Sequence, residues 1–304
     1  MALGGNALVK KGQAGTYSEQ LENLTRIAPT LASLARRHRL ILTHGNGPQV
    51  GLLYLQQEHT PPGLPRLPLH ACVAMTQSLI GYMIQQAASA ADPGTETAVL
   101  TTRVLVDPSD PAFKKPTKPI GPYYTRQEAA RLAREKGWKM IHIPGKGWRR
   151  AVPSPRPIKV LEAPLISATA RPHRITVALG GGGIPVAEDT GGYRGVDAVV
   201  DKDLASSLLA TTLGAATLVI ATDVPGVYMD YGTPQARLLD EICADKALRL
   251  AQQGYFPPGS MGPKVEAAAR YALATGNTAV IGHLDHLADL VSMRRGTLIK
   301  PCHK

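Results

Sequence analysis

Residues 39–57 read RLILTHGNGPQVGLLYLQQ, and their order decides the fold. The aliphatic run Leu40–Leu42 has the length of a short buried strand. Gly45, Asn46 and Gly47 then turn the chain, and Pro48 stands where a first helical turn accepts a residue without an N–H. The pattern of an apolar strand ending in glycine or small polar residues recurs in ALGGNAL (residues 2–8), VALGGGGIP (177–185) and IATDVPGVY (220–228). In parallel α/β sheets that edge is where ligands bind. Glycine lets backbone N–H groups approach phosphate oxygens, and a following helix N-terminus adds partial positive charge. Four such loops in one chain point to a phosphate-handling crevice. None carries the Gly-Lys-Ser/Thr ending of a Walker A loop or a full GxGxxG, so the chain is neither a P-loop enzyme nor an obvious dinucleotide binder.

Working outward, apolar strands alternate with amphipathic helices. Leu21, Leu24, Ile27, Leu31 and Leu34 make one stripe of a helix from about Ser18 to His38, and Thr16 with Glu19 has the spacing of a capping box. A second helix begins near Pro48, a third runs from Cys72 to Ala90, and ETAVLTTRVLV (96–106) reads as a strand of the same sheet. The alternation restarts with the strand RITVALGGGG, a helix from Asp203 to Leu213, the strand ATLVIATDV, a helix after Gly262-Pro263 and the strand TAVIG. The expected architecture is doubly wound α/β, with one lobe over 1–165 and another over 166–304. Between them, residues of about 114–157 break the rhythm, with prolines at both ends and a short helix opened by Thr125 and Glu128. They read as a protruding insert.

The 304 residues, 44% of them hydrophobic, can bury two aliphatic cores. No run approaches the roughly 20 apolar residues of a membrane span, and MALGGNAL is too short and lacks the basic flank of a secretory signal. A soluble cytoplasmic protein is expected. Cys72, Cys243 and Cys302 show no metal-ligand spacing, suit a reducing compartment and read as structural or incidental. Of the net charge of +11, much falls between Lys114 and Lys159, opposed there only by Glu128 and Glu135. No finger spacing, helix-turn-helix pattern or aromatic RNA-binding signature accompanies it, so specific nucleic-acid binding is not expected. A basic insert equally suits a lid over a phosphate-bearing ligand.

Nearly end to end, the blocks ALGGNAL, THGNGPQVGLL, CVAMTQ, DPAFKKPTKPIGP, GWRRAVPSPRP, GGGGIPV, DKDLAS, TDVPGVYMDYGTPQA and PGSMGPKVEAA resemble the carbamate kinases of the amino acid kinase family. The resemblance implies a three-layer αβα sandwich with a mainly parallel sheet. It further implies an N-terminal lobe for carbamate or carbamoyl phosphate, a mobile lid, a C-terminal lobe for adenine nucleotide, and a homodimer. The reaction implied is reversible phosphoryl transfer between ATP and carbamate, giving ADP and carbamoyl phosphate, with Mg²⁺ accompanying the nucleotide and no protein metal ligand assigned. No membrane or nucleic-acid partner is implied.

Phosphoryl transfer needs charge compensation more than covalent help, so lysines and amide donors are the residues to look for. The resemblance carries the catalytic roles onto Lys118, Lys202, Asp203 and Lys264. Lys202 and Lys264 are assigned to the transferring group and the nucleotide phosphates, and Lys118 to the carbamoyl phosphate end. Asp203 is expected to orient the two core lysines and keep them protonated. Gly4, Gly5, Asn6, Gly45, Asn46 and Gly47 are assigned to the small acceptor, and Gly181, Gly182, Asp223, Tyr228, Met261 and Lys264 to the nucleotide. Where the family commonly has an acid and a glycine this chain has His70 and Ser78. Ile143 and Pro144 replace an acid and a small residue in the insert, and the first strand is short. His283 and His286 read as surface histidines. Two other readings compete: another small-acid or phosphate kinase of the same fold, which would lack this insert, and a basic binding protein that kept the fold without turnover.

Overall fold

In the computed structural model, which describes residues 1–10, 12–257 and 259–302 (Asn6 by its backbone alone), the strand Leu218–Thr222 shows how the sequence builds the layers. Leu218 and Ile220 join one buried cluster with Val265, Ala268 and Ile299. Val219 and Ala221 join another, with Leu24, Ile27, Ile80 and Met83. Alternate residues of one strand thus feed cores on opposite faces, as a strand covered on both sides requires.

The main sheet has eight strands, in the order Glu241–Cys243, Thr297–Lys300, Ala279–His283, Leu218–Thr222, Ala2–Leu3, Leu40–His44, Arg174–Val177 and Glu96–Val99. Every pairing is parallel except that of Ala279–His283 with Thr297–Lys300. The described helices are α1 Tyr17–Arg37, α2 Gly47–Glu58, α3 Leu69–Ala91, α4 Arg126–Lys136, α5 Ala163–Thr169, α6 Lys202–Thr212, α7 Ala244–Gln252, α8 Met261–Thr275 and α9 Leu287–Val291. α1, α3 and α9 contribute to the first cluster and α7 and α8 to the second, giving the three-layer sandwich. Both capping boxes form: Thr16 with Glu19 opens α1, and Thr125 with Glu128 opens α4.

Two expectations need correction. The stretch 96–106 is two strands in two sheets: Glu96–Val99 edges the main sheet, while Arg103–Val106 belongs to a four-stranded sheet with Gly192–Gly195, Ile184–Asp189 and Pro157–Val160. Gln77 of α3 causes the break. Its carboxamide accepts from the Thr102 N–H at 2.8 Å and donates to the Thr102 carbonyl at 3.0 Å, replacing a neighbouring strand at that residue. The cysteines also differ from expectation. Cys243 and Cys302 form a disulfide, their Cα atoms 5.1 Å apart, because the parallel strands 241–243 and 297–300 align at one end; Cys72 is free and buried.

The insert is a third sheet. Lys118–Tyr124, Gly147–Val152 and Met140–Ile143 pair antiparallel, with α4 against them. Its strand 118–124 packs on α2 so closely that a Cβ on Gly51 would lie 1.8 Å from the Gly121 nitrogen. The Arg150 guanidinium lies 4.4 Å from the centre of the Tyr54 ring and 4.1 Å from that of Trp138, with Glu58 at 3.2 Å. Part of the insert's positive charge is paired internally or with the body, Arg156 reaching Glu266 of α8 at 3.0 Å. The His70 ring lies 3.0 Å from the carboxylate of Asp197, Ser78 is exposed on α3, and Ile143 ends a strand of the insert while Pro144 opens the turn after it. Among the described residues no helix is long and apolar enough to cross a membrane.

Candidate active site

The N-terminus of α6 organises the site. The Asp201 carboxylate caps the helix, accepting from the N–H groups of Asp203 at 2.9 Å and Leu204 at 3.2 Å, which fixes Lys202 and Asp203 in the first turn. Lys202 donates to one oxygen of Asp203 at 2.5 Å and Lys264, from the first turn of α8, to the other at 3.0 Å. Lys118, from the insert, donates to the second oxygen of Asp201 at 2.7 Å. Three lysines far apart in sequence thus meet on two aspartates.

The glycine loops close around this cluster. A Cβ on Gly45 would meet the Lys202 side chain at 3.4 Å and the Gly5 nitrogen at 3.7 Å, and one on Gly47 would sit 3.8 Å from the Pro119 carbonyl, next to Lys118. Gly4 donates to the carbonyl of Ala221 at 3.0 Å, which holds the two-residue first strand in the middle of the sheet. The Asn46 amide donates to Thr76 Oγ1 at 2.8 Å, so part of its hydrogen-bonding capacity is structural. Asn6 stands in a short 3₁₀ turn, and its side chain lies outside the described residues.

A second cavity, of about 230 Å³, opens between the ends of the main sheet and α8. Asp223, Tyr228 and Met261 line it together, joined by Thr222, Tyr231, Phe256 and Lys146. Met261 is one helical turn before Lys264, so α8 links the cavity to the lysine cluster. Gly181 and Gly182 do not line this cavity. A Cβ on Gly181 would lie 2.1 Å from Asn46 Nδ2 and one on Gly182 would lie 2.4 Å from the Val200 carbonyl, which places them beside the loop at Asn46 and the turn into Lys202. His283 and His286 are half-buried and line a separate open hollow of about 710 Å³ that contains none of the lysines.

Burial and charge oppose each other in the cluster. Burial pushes the Asp203 carboxyl upward, but the two ammonium groups outweigh it and hold it well below the usual carboxylate range. Asp201, similarly buried, is lowered chiefly by Lys118. Burial also opposes the charge on Lys264, yet Asp203 raises it above its ordinary value. For Lys202 burial wins: despite Asp203 its ammonium is lowered to about 8. Asp203 thus outweighs burial at Lys264, while Lys202 still carries its proton at neutral pH and gives it up in mildly alkaline solution.

Besides Asp201, which the sequence reading gave no role, two residues of interest escaped it. His44, at the end of its strand, is held neutral by burial and, secondarily, the Lys202 charge, its pKa near 4; its Nδ1 faces the Gly45 carbonyl at 3.0 Å and its Nε2 lacks a partner among the described residues. A histidine ending an apolar strand at a glycine loop was the available signal. Lys146 was one lysine among many in the basic insert, its flanking glycines the only distinguishing mark.

Glycine loops at the carboxyl edge of a parallel sheet, a buried lysine–aspartate cluster and an aromatic-lined cavity one helical turn away define a phosphotransferase. The amino acid kinase family model matches residues 1–283. The chain is 44% identical to the carbamate kinase of Thermococcus kodakarensis, covering 98% of each, and 42% identical to that of Escherichia coli, again covering 98% of each. Among solved structures, Giardia lamblia carbamate kinase bound to citric acid superposes with a TM-score of 0.91 at 39% identity, and the same enzyme bound to AMP-PNP with 0.86 at 40%; each comparison covers 99% of this chain and 97% of the other. The chain belongs to the amino acid kinase family, among the carbamate kinases.

Proposed function

We propose that the chain catalyses reversible phosphoryl transfer from ATP to carbamate, giving ADP and carbamoyl phosphate. The observation that carries this reading is the pair of lysines on Asp203, with a third docked on Asp201 from a separate sheet. As charge spreads over the equatorial oxygens of a phosphoryl group in flight, Lys202 and Lys264 stabilise it on the nucleotide side. Lys118 acts at the carbamoyl phosphate end and arrives with the insert, which serves as a lid. Asp203 aims the two core ammonium groups and keeps them apart from other acids. Amides of Gly4, Gly5, Gly45 and Gly47, together with Asn6 and Asn46, surround the small planar acceptor. Gly181 and Gly182 act here through the loop they shape rather than at the base. Asp223, Tyr228 and Met261, which line one cavity, receive the nucleotide, a class of ligand that the Giardia enzyme binds as AMP-PNP.

In this reading residues 1–165 hold the acceptor, 114–157 form the lid and 166–304 hold the nucleotide. Asp201 and Asp203 are engaged by lysines, whereas the exposed Asp223 carboxylate accepts only from the Thr222 hydroxyl among the described residues, at 3.2 Å. Mg²⁺ carried by the nucleotide phosphates would find its protein oxygen there, and when bound it neutralises phosphate charge. A homodimer is supported by the exposed Met75, Leu79 and Tyr82, which follow one another along one side of α3. The cytoplasm is the proposed compartment, in which the Cys243–Cys302 disulfide would be one of the uncommon bonds that persist in a reducing milieu.

The direct test is ATP formation from Mg²⁺, ADP and carbamoyl phosphate. Rapid synthesis that falls by roughly 10²–10³ in Lys264→Ala and in Lys118→Ala supports the assignment. A folded wild type without turnover, or variants that keep full activity, would overturn it.

A further inference from the structure

We propose that Lys146 is a nucleotide-binding residue, through which the insert reaches across to pair with the phosphate chain of a bound nucleoside diphosphate or triphosphate. This rests on assigning the 230 Å³ cavity to the nucleotide. The remaining described lining comes from residues 222–231 and 256–261, so Lys146 is the insert's single contribution. It is also the only cation among those lining residues, with Asp223 the only acid. Its side chain is exposed and has no ion-pair or hydrogen-bond partner among the described residues, in contrast to Lys118, Lys136 and Arg150 of the same insert. A free ammonium at the mouth of an aromatic-lined cavity has one obvious complement, a polyanion whose flat end the rings can hold.

The backbone presents it firmly. Lys146 sits in the turn between strands 140–143 and 147–152, its N–H donating to the Ile143 carbonyl at 3.0 Å. Gly145 and Gly147 flank it at φ of 71° and 107°, and a Cβ on Gly147 would lie 2.9 Å from the Tyr124 carbonyl. Both glycines therefore suit a turn that other residues would strain. The strand leaving this turn pairs with the strand of Lys118, in a register that sets Lys118 opposite Val152. Nucleotide held at one end of the hairpin thus biases the placement of Lys118 at the other.

The insert carries its own reporter, since Trp138 and Trp148 are the chain's only tryptophans. Titration of the full chain with ADP, followed by tryptophan emission and by calorimetry, tests the proposal in wild type, Lys146→Met and Lys146→Arg. The expected result is an emission change in wild type, with ADP binding about tenfold weaker in Lys146→Met and largely restored in Lys146→Arg. Adenosine, which lacks phosphate, should bind all three alike. Unchanged ADP affinity in Lys146→Met, or an equal loss for adenosine, would overturn the proposal. Binding is read apart from turnover, so a wild type that binds ADP without making ATP would refute the catalytic reading and leave this one standing.

Discussion

Asp203 is the residue on which the site turns. It is 4% exposed and neutralises two ammonium groups that would otherwise repel each other in a dry pocket. Asp203→Asn removes the charge while keeping the shape, leaving buried cations uncompensated, a change of about 3–5 kcal/mol. Thermal denaturation should show a marked loss of stability, accompanied by near-complete loss of turnover; a variant as stable as wild type would show that the lysines are held by something else. Lys202 gives a pH signature. Its folded pKa near 8 lies below the ordinary lysine value of 10.5, so the folded chain releases this proton before the unfolded chain does. Activity that depends on the ammonium should fall as pH rises through about 8, visible in kcat/KM, which reports the free enzyme. The stability contribution has the opposite sign: charged Lys202 opposes folding below pH 8, and that cost fades between 8 and 10.5. Comparing wild type with Lys202→Met by denaturant titration across that window isolates the term, and a difference independent of pH would contradict it. The sequence named both aspects of this cluster, the lysines through their motifs and the acid through its position, but not the imbalance between Lys202 and Lys264. That depends on burial, which only the packed structure supplies.

Among the elements, the contact between α2 and the insert is the most demanding. Gly51 faces Gly121, which itself has a φ of 73°, and the atoms that would clash with a Cβ are backbone. Gly51→Ala therefore must part the helix from the strand that begins at Lys118. Overpacking of this kind costs about 1–3 kcal/mol, and turnover should fall with stability although position 51 touches no substrate; an unaffected kcat would show that the insert works without this contact. Elements whose signals are local were legible in advance. The capping boxes at Thr16 and Thr125 are satisfied by residues three positions away, so spacing alone revealed them. The break in 96–106 was hidden because its cause, Gln77, lies on another helix. Strand 297–300 escaped for a similar reason, its place being set by pairing with 241–243 and 279–283, whereas α7 escaped although its apolar periodicity was legible.

On the scale of the whole molecule, some of the cations are met within the chain, while exposed Lys114, Lys115, Lys139 and Lys159 keep the surface in and beside the insert basic. Lys118, Lys136, Arg150 and Arg156 each meet an acid elsewhere in the chain, and Lys202 and Lys264 are enclosed. The Cys243–Cys302 bond acts at this scale too. It closes a stretch of 59 residues that includes α7, part of the aromatic cavity and Lys264, and in the chain-entropy account a loop of that size contributes about 4 kcal/mol. Reduction should lower the melting temperature, and Cys302→Ser should match the reduced wild type. The bond also changes what a single cut can do. The exposed turn at 253–255 lies between the two cysteines, so a protease that nicks it separates no fragment from the oxidised chain. On a denaturing gel the cut molecule should keep the mobility of one connected chain, and fall into two bands once thiol is added.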